Sequence, residues 1–459
     1  MKVTLVQPCI GRVNGRKVNR KRVIESLSIA TLAGLTPPDV EREFFDERLE
    51  DVDFDTRTDL VGISVETLNA RRAYEICAGF RARGVPVVLG GVHPSLVTAE
   101  ALEHADAVLV GQAEGVWDKV IRDRRKNRLR RIYRGTASPE FGRALPDRSI
   151  LRGKNYLPVQ MVEFGRGCSH RCDFCSVHRF FGDRYATRSV DSLIAEIGRS
   201  GTKNVLFVDD NLFSNRRKLG LLCRELAPLG VRWAGQASIG VTRDEALLDR
   251  IAESGCKGLL IGFESVHPGN LRQMNKRFNG GVERYGEAVR RLKDRHIKVY
   301  GSFVLGYDHE TRESIRKTAT FAIEQKLTIA TFYPLTPFPG TRLYERLRAE
   351  GRLPREDWWM DPEARYGDIF FRPANLSPEE LAARSIEARK RFYAPLSMAC
   401  RALDLRGNAN NLVSFYFYML SNLLVGRDIA LKNRTRFGLE PAEARDENHP
   451  TPTETESRP

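Results

Sequence analysis

Long apolar runs are missing from this chain: no stretch reaches the ~18 uncharged apolar residues that a membrane span requires. Cysteine is scarce as well, 8 in 459 residues, which excludes a disulfide-built scaffold. Gly 37 and Pro 22 are too few for a collagen-like or Pro-rich fibre, and no tandem repeat is visible. The first apolar run, residues 3–6, is too short for the core of a signal peptide and reads as a strand. A reducing cytoplasmic setting is therefore expected, where clustered cysteines mean metal or catalysis more often than disulfides. What is in excess is positive charge, 74 Lys+Arg against 59 Asp+Glu, a net +15. That balance fits an anionic partner (nucleic acid, an acidic membrane surface or a phosphate-bearing substrate) or simply a solvated basic surface. With 41% hydrophobic and 29% charged residues the chain can bury ample core, and its length predicts roughly three domains.

Residues 1–135 alternate short apolar runs with helical patterning. Strands are expected at 2–6, 59–65, 85–90 and 107–110, with a helix over 70–83. Such alternation predicts a parallel sheet covered by helices. Gly90, Gly91 and Gly111 fall just past strand ends, the edge at which open α/β sheets bind ligands. The basic run 122–134 reads as a linker, and 136–154 connects to a second alternation over 155–350. Its strands are expected at 160–164, 204–208, 232–237, 258–262, 298–305 and 329–333. Six strands with intervening helices predict a partial (β/α) barrel. Asp209, Asp210, Glu264 and Gly306 stand at or near the C-terminal strand ends, the catalytic face of a barrel. Residues 351–440 read as a mostly helical extension, with a helix over 377–392. The stretch 411–425 is apolar but spans only 15 residues. Residues 441–459, rich in Glu, Pro and Thr, are expected to be a disordered tail.

The strongest chemical signal is Cys168-Ser169-His170-Arg171-Cys172-Asp173-Phe174-Cys175, a CxxxCxxC triplet. Three thiols on so short a loop point to metal. Three thiolates suit a 4Fe–4S cube with one iron left open. Zinc remains an alternative through His170 and His178, although it usually takes a fourth close ligand or an open catalytic position. Phe164-Gly165-Arg166-Gly167 precedes the triplet and permits a sharp backbone turn. Cys9, Cys77, Cys223, Cys256 and Cys400 are scattered and read as packing residues.

The loop resembles the cluster-binding motif of the radical S-adenosylmethionine (SAM) enzymes, and the segments that follow are similar to that family in the same order. Val208-Asp209-Asp210-Asn211 resembles the acidic turn after the second strand, and Gln236-Ala237-Ser238 a polar third-strand end. Leu260-Ile261-Gly262-Phe263-Glu264-Ser265 resembles the element that contacts SAM. Gly301 to Gly306 resembles the fifth-strand segment, and Thr336-Pro337-Phe338-Pro339-Gly340-Thr341 a run common after the sixth. The resemblance implies Cys168, Cys172 and Cys175 on the cluster, with Asp209, Asp210, Gln236, Ser238, Glu264 and Gly306 around SAM. The N-terminal domain resembles the Rossmann-like cobalamin-binding domain of many such enzymes, through Asp59 to Ser64, Gly90-Gly91-Val92-His93-Pro94 and Val110 to Glu114. That implies Gly62, Ser64, Gly90, Gly91 and Gly111 near a corrin. The DxHxxG motif that supplies an axial histidine is absent, and His93 is not assigned to cobalt.

The whole is read as α/β: an N-terminal Rossmann-like parallel sheet domain, a partial (β/α)6 radical SAM barrel and a helical C-terminal extension. The implied chemistry is electron transfer from a 4Fe–4S cluster to SAM, release of a 5′-deoxyadenosyl radical and hydrogen abstraction from the substrate. Cobalamin-dependent methylation of an unactivated carbon in a hydrophobic lipid or natural-product substrate is the leading expectation. Cyclisation, rearrangement or C–C coupling without methyl transfer is the alternative. An electron donor such as flavodoxin or ferredoxin is implied. A zinc-stabilised nucleic-acid-binding protein is the rival from another class. It is disfavoured because the basic residues are dispersed and no second CxxC or HxxxH completes a finger, so no nucleic-acid partner is expected. The aromatic segment 415–424, flanked by Arg401, Arg406, Arg427 and Lys432, reads as a buried cap or as a peripheral membrane contact.

Overall fold

Strand β1 (Lys2–Gln7) reads Lys-Val-Thr-Leu-Val-Gln, and its four central residues are all buried. A strand apolar on both faces belongs inside a parallel sheet covered by helices. In the computed structural model, which describes residues 1–13, 16–17, 23–135, 141–142, 145–182, 185–432 and 435–439, that is where it lies. The expected tail, 441–459, falls outside the described residues. The first sheet adds β2 (Glu41–Asp46), β3 (Leu60–Ser64), β4 (Val87–Gly90), β5 (Ala107–Val110) and β6 (Ile132–Arg134). All six strands are parallel, in the order β2-β1-β3-β4-β5-β6.

The two edge strands were not foreseen. β2 reads Glu-Arg-Glu-Phe-Phe-Asp, and its charges mask a strand; Glu43 meets Lys2 of β1 at 3.2 Å. β6 lies inside the basic run expected as a linker. That run is instead the end of the helix Trp117–Arg125 and then an edge strand. Val120, Ile121 and Tyr133 are buried while the arginines face solvent, so charge here marks an edge.

The second sheet consists of β7 (Gln160–Val162), β8 (Asn204–Phe207), β9 (Arg232–Ala237), β10 (Cys256–Glu264), β11 (Lys298–Leu305) and β12 (Ile329–Pro334). The strands are parallel and sequential, as a partial barrel of β/α units requires. Period-two alternation sorts their side chains. Phe263, Phe303 and Phe332 stack in a ladder across β10, β11 and β12, with ring centroids 5.6 and 5.4 Å apart. Their neighbours Gly262, Ser302 and Val304 line the inner cavity.

The C-terminal extension binds the two sheets together. Trp358 and Trp359 are buried against the first domain, and Trp359 Nε1 donates to Glu100 at 3.0 Å. Three helices follow, Pro378–Phe392, Pro395–Ala402 and Leu412–Lys432. Phe437 is then buried, and the Gly438 N–H reaches Ile10 O at 2.9 Å. All but the first residue of the run 411–425 lie in the 21-residue last helix. No helix among the described residues is long and apolar enough to cross a membrane.

Candidate active site

The C-terminal edges of the two sheets meet, and the cysteine loop lies where they do. Arg166, just after β7, reaches Glu114 beyond β5 at 2.6 Å and Gln112 at 3.1 Å. The short helix Val92–Leu96 packs against Val177–Phe181, the helix that leaves the cysteine loop.

Carboxylates hold the loop in place. Asp209 follows β8 and accepts hydrogen bonds from the Phe164 and Gly165 amides at 3.0 and 2.5 Å. Asp210 accepts from the Gly167 amide at 2.9 Å. Asp173 accepts from Tyr307 Oη at 2.5 Å, while its carbonyl takes the Leu343 amide at 3.0 Å. Asn275 Nδ2 donates to Arg171 O at 3.0 Å. A loop tied at both flanks presents its thiols in a fixed arrangement, the preorganisation that metal chemistry needs.

Cys168, Cys172 and Cys175 open into one cavity of about 500 Å³. Asp210, Gln236, Ser238 and Glu264 line it too. Gln236 Nε2 is anchored to Asp210 O at 2.8 Å, and the Ser238 amide to Asn211 Oδ1 at 2.9 Å. Asp209 and Gly306 do not line the cavity. Asp209 is buried, spends its oxygens on the loop amides, and burial pushes it up to about 8. Gly306 turns the chain at φ +119°, with its amide on Glu310 at 3.3 Å. Both shape the site from behind. Sequence position at a strand end does not say whether a side chain points into a barrel or back beneath a loop.

Among the residues lining the cavity, Asn211 and Lys276 were given no role by the sequence reading. Asn211 Nδ2 approaches Cys168 Sγ at 3.7 Å. Lys276 is nearly fully buried and donates to Glu264 Oε1 at 2.7 Å and Gly262 O at 3.0 Å. Burial works against the Lys276 charge, but Glu264 and then Cys172 prevail and raise its pKa. Glu264 reaches this position at a cost in backbone strain. It sits at a register shift between β10 and β11 with φ +62°, rare for a side chain of its size. A Cβ on Gly262 would lie 2.3 Å from Glu264 Oε1 and 2.8 Å from Lys276 Nζ, so a larger residue there would displace the ion pair from its present position. The glycine and glutamate were legible as a motif; the lysine, in the following loop, carries no spacing that marks it.

The donor set fits an iron–sulfur cluster. No fourth cysteine lines the cavity: Cys9, Cys77, Cys223 and Cys256 are buried elsewhere, and Cys400 is on the surface. Among the described residues no three His, Cys, Asp or Glu side chains converge as a single ion would need. Burial pushes Cys172 up to about 12 and Cys175 up to about 11, so a cation must displace their protons. His170, one of the two zinc candidates, stacks on Phe278 with centroids 3.5 Å apart. Burial, then Lys276, lowers it to about 4.

The cavity's outer part is apolar, lined by Phe338, Tyr366 and Phe370, with Arg389 as its cation. Arg389 comes from the helix Pro378–Phe392 and donates from Nε to Phe332 O at 2.9 Å. Leu68 is the first domain's contribution. Of that domain's candidate residues, Ser64, Gly90, Gly91 and Gly111 stand at the C-terminal strand edge. Gly62 lies inside the sheet, against Trp117 and Leu5. Gly91 and Gly111 are pressed on the chain's own backbone, at Val65 O and Gly135 O, with φ +110° and +84°. Gly90 alone has open space, its nearest contact being Leu109 Cβ at 3.8 Å. His93 is fully buried and partnered by Thr67, Tyr74 and Glu100.

Comparison with known proteins agrees with this geometry. Residues 162–322 match the family model described as the radical SAM superfamily. Bacteriochlorophyllide d C-12(1)-methyltransferase of Chlorobaculum tepidum is 29% identical over 412 residues, covering 86% of this chain and 88% of that one. Hopanoid C-2 methylase of Rhodopseudomonas palustris is 25% identical over 351 residues, covering 72% of this chain and 65% of its own. Among solved structures, the radical SAM methyltransferase TsrM of Kitasatospora setae, with cobalamin and a [4Fe-4S] cluster bound, superposes with a TM-score of 0.62. It is 18% identical, over 85% of this chain and 81% of that one.

Proposed function

We propose that this chain, a radical SAM enzyme, methylates an unactivated carbon of a hydrophobic pigment or lipid and does so with cobalamin. The observation that carries this reading is the meeting of the two sheet edges: Arg166 beside the cysteine loop pairs with Glu114 of the first domain, and Leu68 of that domain lines the thiol cavity. Cys168, Cys172 and Cys175 would hold the cluster, with SAM between Asp210, Gln236, Ser238, Glu264 and Lys276. Ser64 and the open backbone at Gly90 would meet cobalamin. Bound there, the cluster and SAM supply a radical that removes a hydrogen atom, and cobalamin supplies the methyl group.

The chain's own residues do the rest. Lys276 balances the charge of Glu264 and of thiolates in a buried part of the site. Phe174 lines the cavity beside the thiols and shields them from solvent. Phe338, Tyr366 and Phe370 present an apolar wall to the substrate body, and Arg389 offers a cation to an anionic group on it. A large apolar acceptor bearing a carboxylate matches that lining. Such acceptors are found in or at membranes, and a peripheral membrane contact is part of the proposal. An electron donor such as flavodoxin or ferredoxin would reduce the cluster.

The test is anaerobic reconstitution with iron, sulfide, cobalamin, SAM and a reductant, with a carboxylate-bearing chlorin as acceptor. The expected products are 5′-deoxyadenosine, S-adenosylhomocysteine and a methylated chlorin. Deoxyadenosine with a rearranged or cyclised product, and no methyl gain, would refute methyl transfer and leave the radical chemistry.

A further inference from the structure

Helices on a protein surface ordinarily turn apolar side chains inward and polar ones to water. The last two helices depart from this. On Pro395–Ala402 the inward residues are Ser397, Met398 and Arg401, all buried, while Leu396, Ala399 and Cys400 are exposed. On Leu412–Lys432 the inward residues are Tyr418 and Asn422. Tyr418 Oη donates to Met398 O at 2.8 Å, and Asn422 Nδ2 to Thr328 O at 3.0 Å. Arg401 is the hub. It donates to Leu327 O, Phe392 O and Asn422 Oδ1 at 3.0, 2.8 and 3.0 Å, and its guanidinium lies 3.7 Å from the Phe392 ring centre.

The outward face is apolar. Among the described residues, twelve large hydrophobic side chains are exposed, and nine of them lie between residues 396 and 423. Leu396 is 77% exposed and Leu412 86%. Val413, Tyr416 and Phe417 continue the patch at helical spacing. A concentration of this kind on one face marks a contact surface.

Charge selects the occupant. From Lys390 to Arg427 the only acidic residue is Asp404, which is buried and paired with Lys293 at 2.7 Å. Lys390, Arg391 and Arg406 are exposed beside the apolar residues, Arg406 also reaching Asp294 at 2.7 Å. A second copy of a chain with net charge +15 would bring cations to cations. An anionic bilayer meets both the apolar face and the flanking charge. We propose that the exposed face of Pro395–Ala402 and Leu412–Lys432 docks this enzyme on an anionic membrane surface. The helix that lends Arg389 to the cavity runs directly into this face, which sets the docking surface next in the chain to the substrate end of the site.

The experiment is flotation of the full, anaerobically purified chain with phosphatidylglycerol-containing vesicles and with pure phosphatidylcholine vesicles. The wild type should float with the first and much less with the second. The triple variant L412S/Y416S/F417S, altered only at exposed positions, should lose about tenfold or more of its vesicle affinity. Its iron content and its SAM cleavage in solution should be unchanged. A wild type that fails to float overturns the proposal, as do equal flotation on both vesicles and a triple variant that still floats. A dimer in light scattering that the triple variant dissociates, without flotation, would assign the face to self-association instead. The readout is independent of methyl transfer, so failure here leaves the proposed reaction standing.

Discussion

The chain contains two six-stranded parallel sheets, and they use the same edge for different purposes. In the second sheet the C-terminal edge carries reactive side chains: three thiols, Asp210, Glu264 and Lys276 line one cavity. In the first sheet that edge is backbone, and its glycines abut Val65, Gly135 or open space. Strand order underlies the contrast. The sequential second sheet curves into a partial barrel, so side chains from many strands converge. The first sheet reverses its order around β1 and offers a crevice, where a ligand lies along main chain. One edge supplies chemistry and the other a surface.

The sharpest way to break the contrast is at the thiols. Cys168→Ala, or the same change at Cys172 or Cys175, should reduce cluster iron and SAM cleavage to background, read by iron assay and deoxyadenosine yield. Cys223→Ala, a buried thiol in the same barrel, should leave both intact and cost about 1–2 kcal/mol of stability. Equal iron in wild type and Cys168→Ala would place the cluster elsewhere.

Next in size is the buried ion pair. Lys276→Met strands the Glu264 carboxylate and should cost about 3–5 kcal/mol, measured by urea unfolding. SAM cleavage should fall with it. A variant of wild-type stability would mean that Glu264 is solvated.

The barrel should also have a pH response that the first sheet lacks at its edge glycines. Burial pushes Glu310 up to about 7, against hydrogen bonds from Ser314 Oγ and the Gly306 amide. The folded chain therefore holds this proton more tightly than the unfolded chain, whose carboxyl has an ordinary value near 4.5. Its contribution to stability is complete below about pH 4.5 and is lost as pH rises through about 7, at most about 3 kcal/mol. Glu310→Gln should flatten that slope in unfolding midpoints across the window. A slope unchanged in the variant would assign it to another group.

The smallest effects separate the glycines of the first sheet. Gly91→Ala forces a Cβ to 2.5 Å from Val65 O at φ +110° and should cost about 1–3 kcal/mol. Gly90→Ala should be neutral in stability, within about 0.5 kcal/mol, yet weaken cobalamin binding measured by absorbance titration. Unaltered cobalamin affinity in Gly90→Ala would move the corrin away from β4.

Much of this was written in local pattern. Apolar runs bounded by turns marked four strands of the first sheet, because a strand buried on both faces must be apolar throughout, and the strand–helix alternation marked the six of the second. The cysteine triplet stood out by its spacing, three thiols within eight residues, and the three open into one cavity. The edge strands β2 and β6 stayed hidden because an edge tolerates charge, and Glu43 and Arg134 look like loop residues.

What tertiary structure alone decided is direction and partnership. Asp209 and Asp210 are adjacent in sequence, yet one braces the cysteine loop from beneath while the other faces the cavity. Lys276 joins Glu264 only because the loop after β10 folds back across Gly262. Arg401 reads as a surface cation and is a buried hub, which leaves the apolar faces of its helices to the outside. Composition and spacing fix which groups a chain owns and which local elements they form. Which of them meet depends on long-range packing, where one side chain's burial is set by residues far away in sequence.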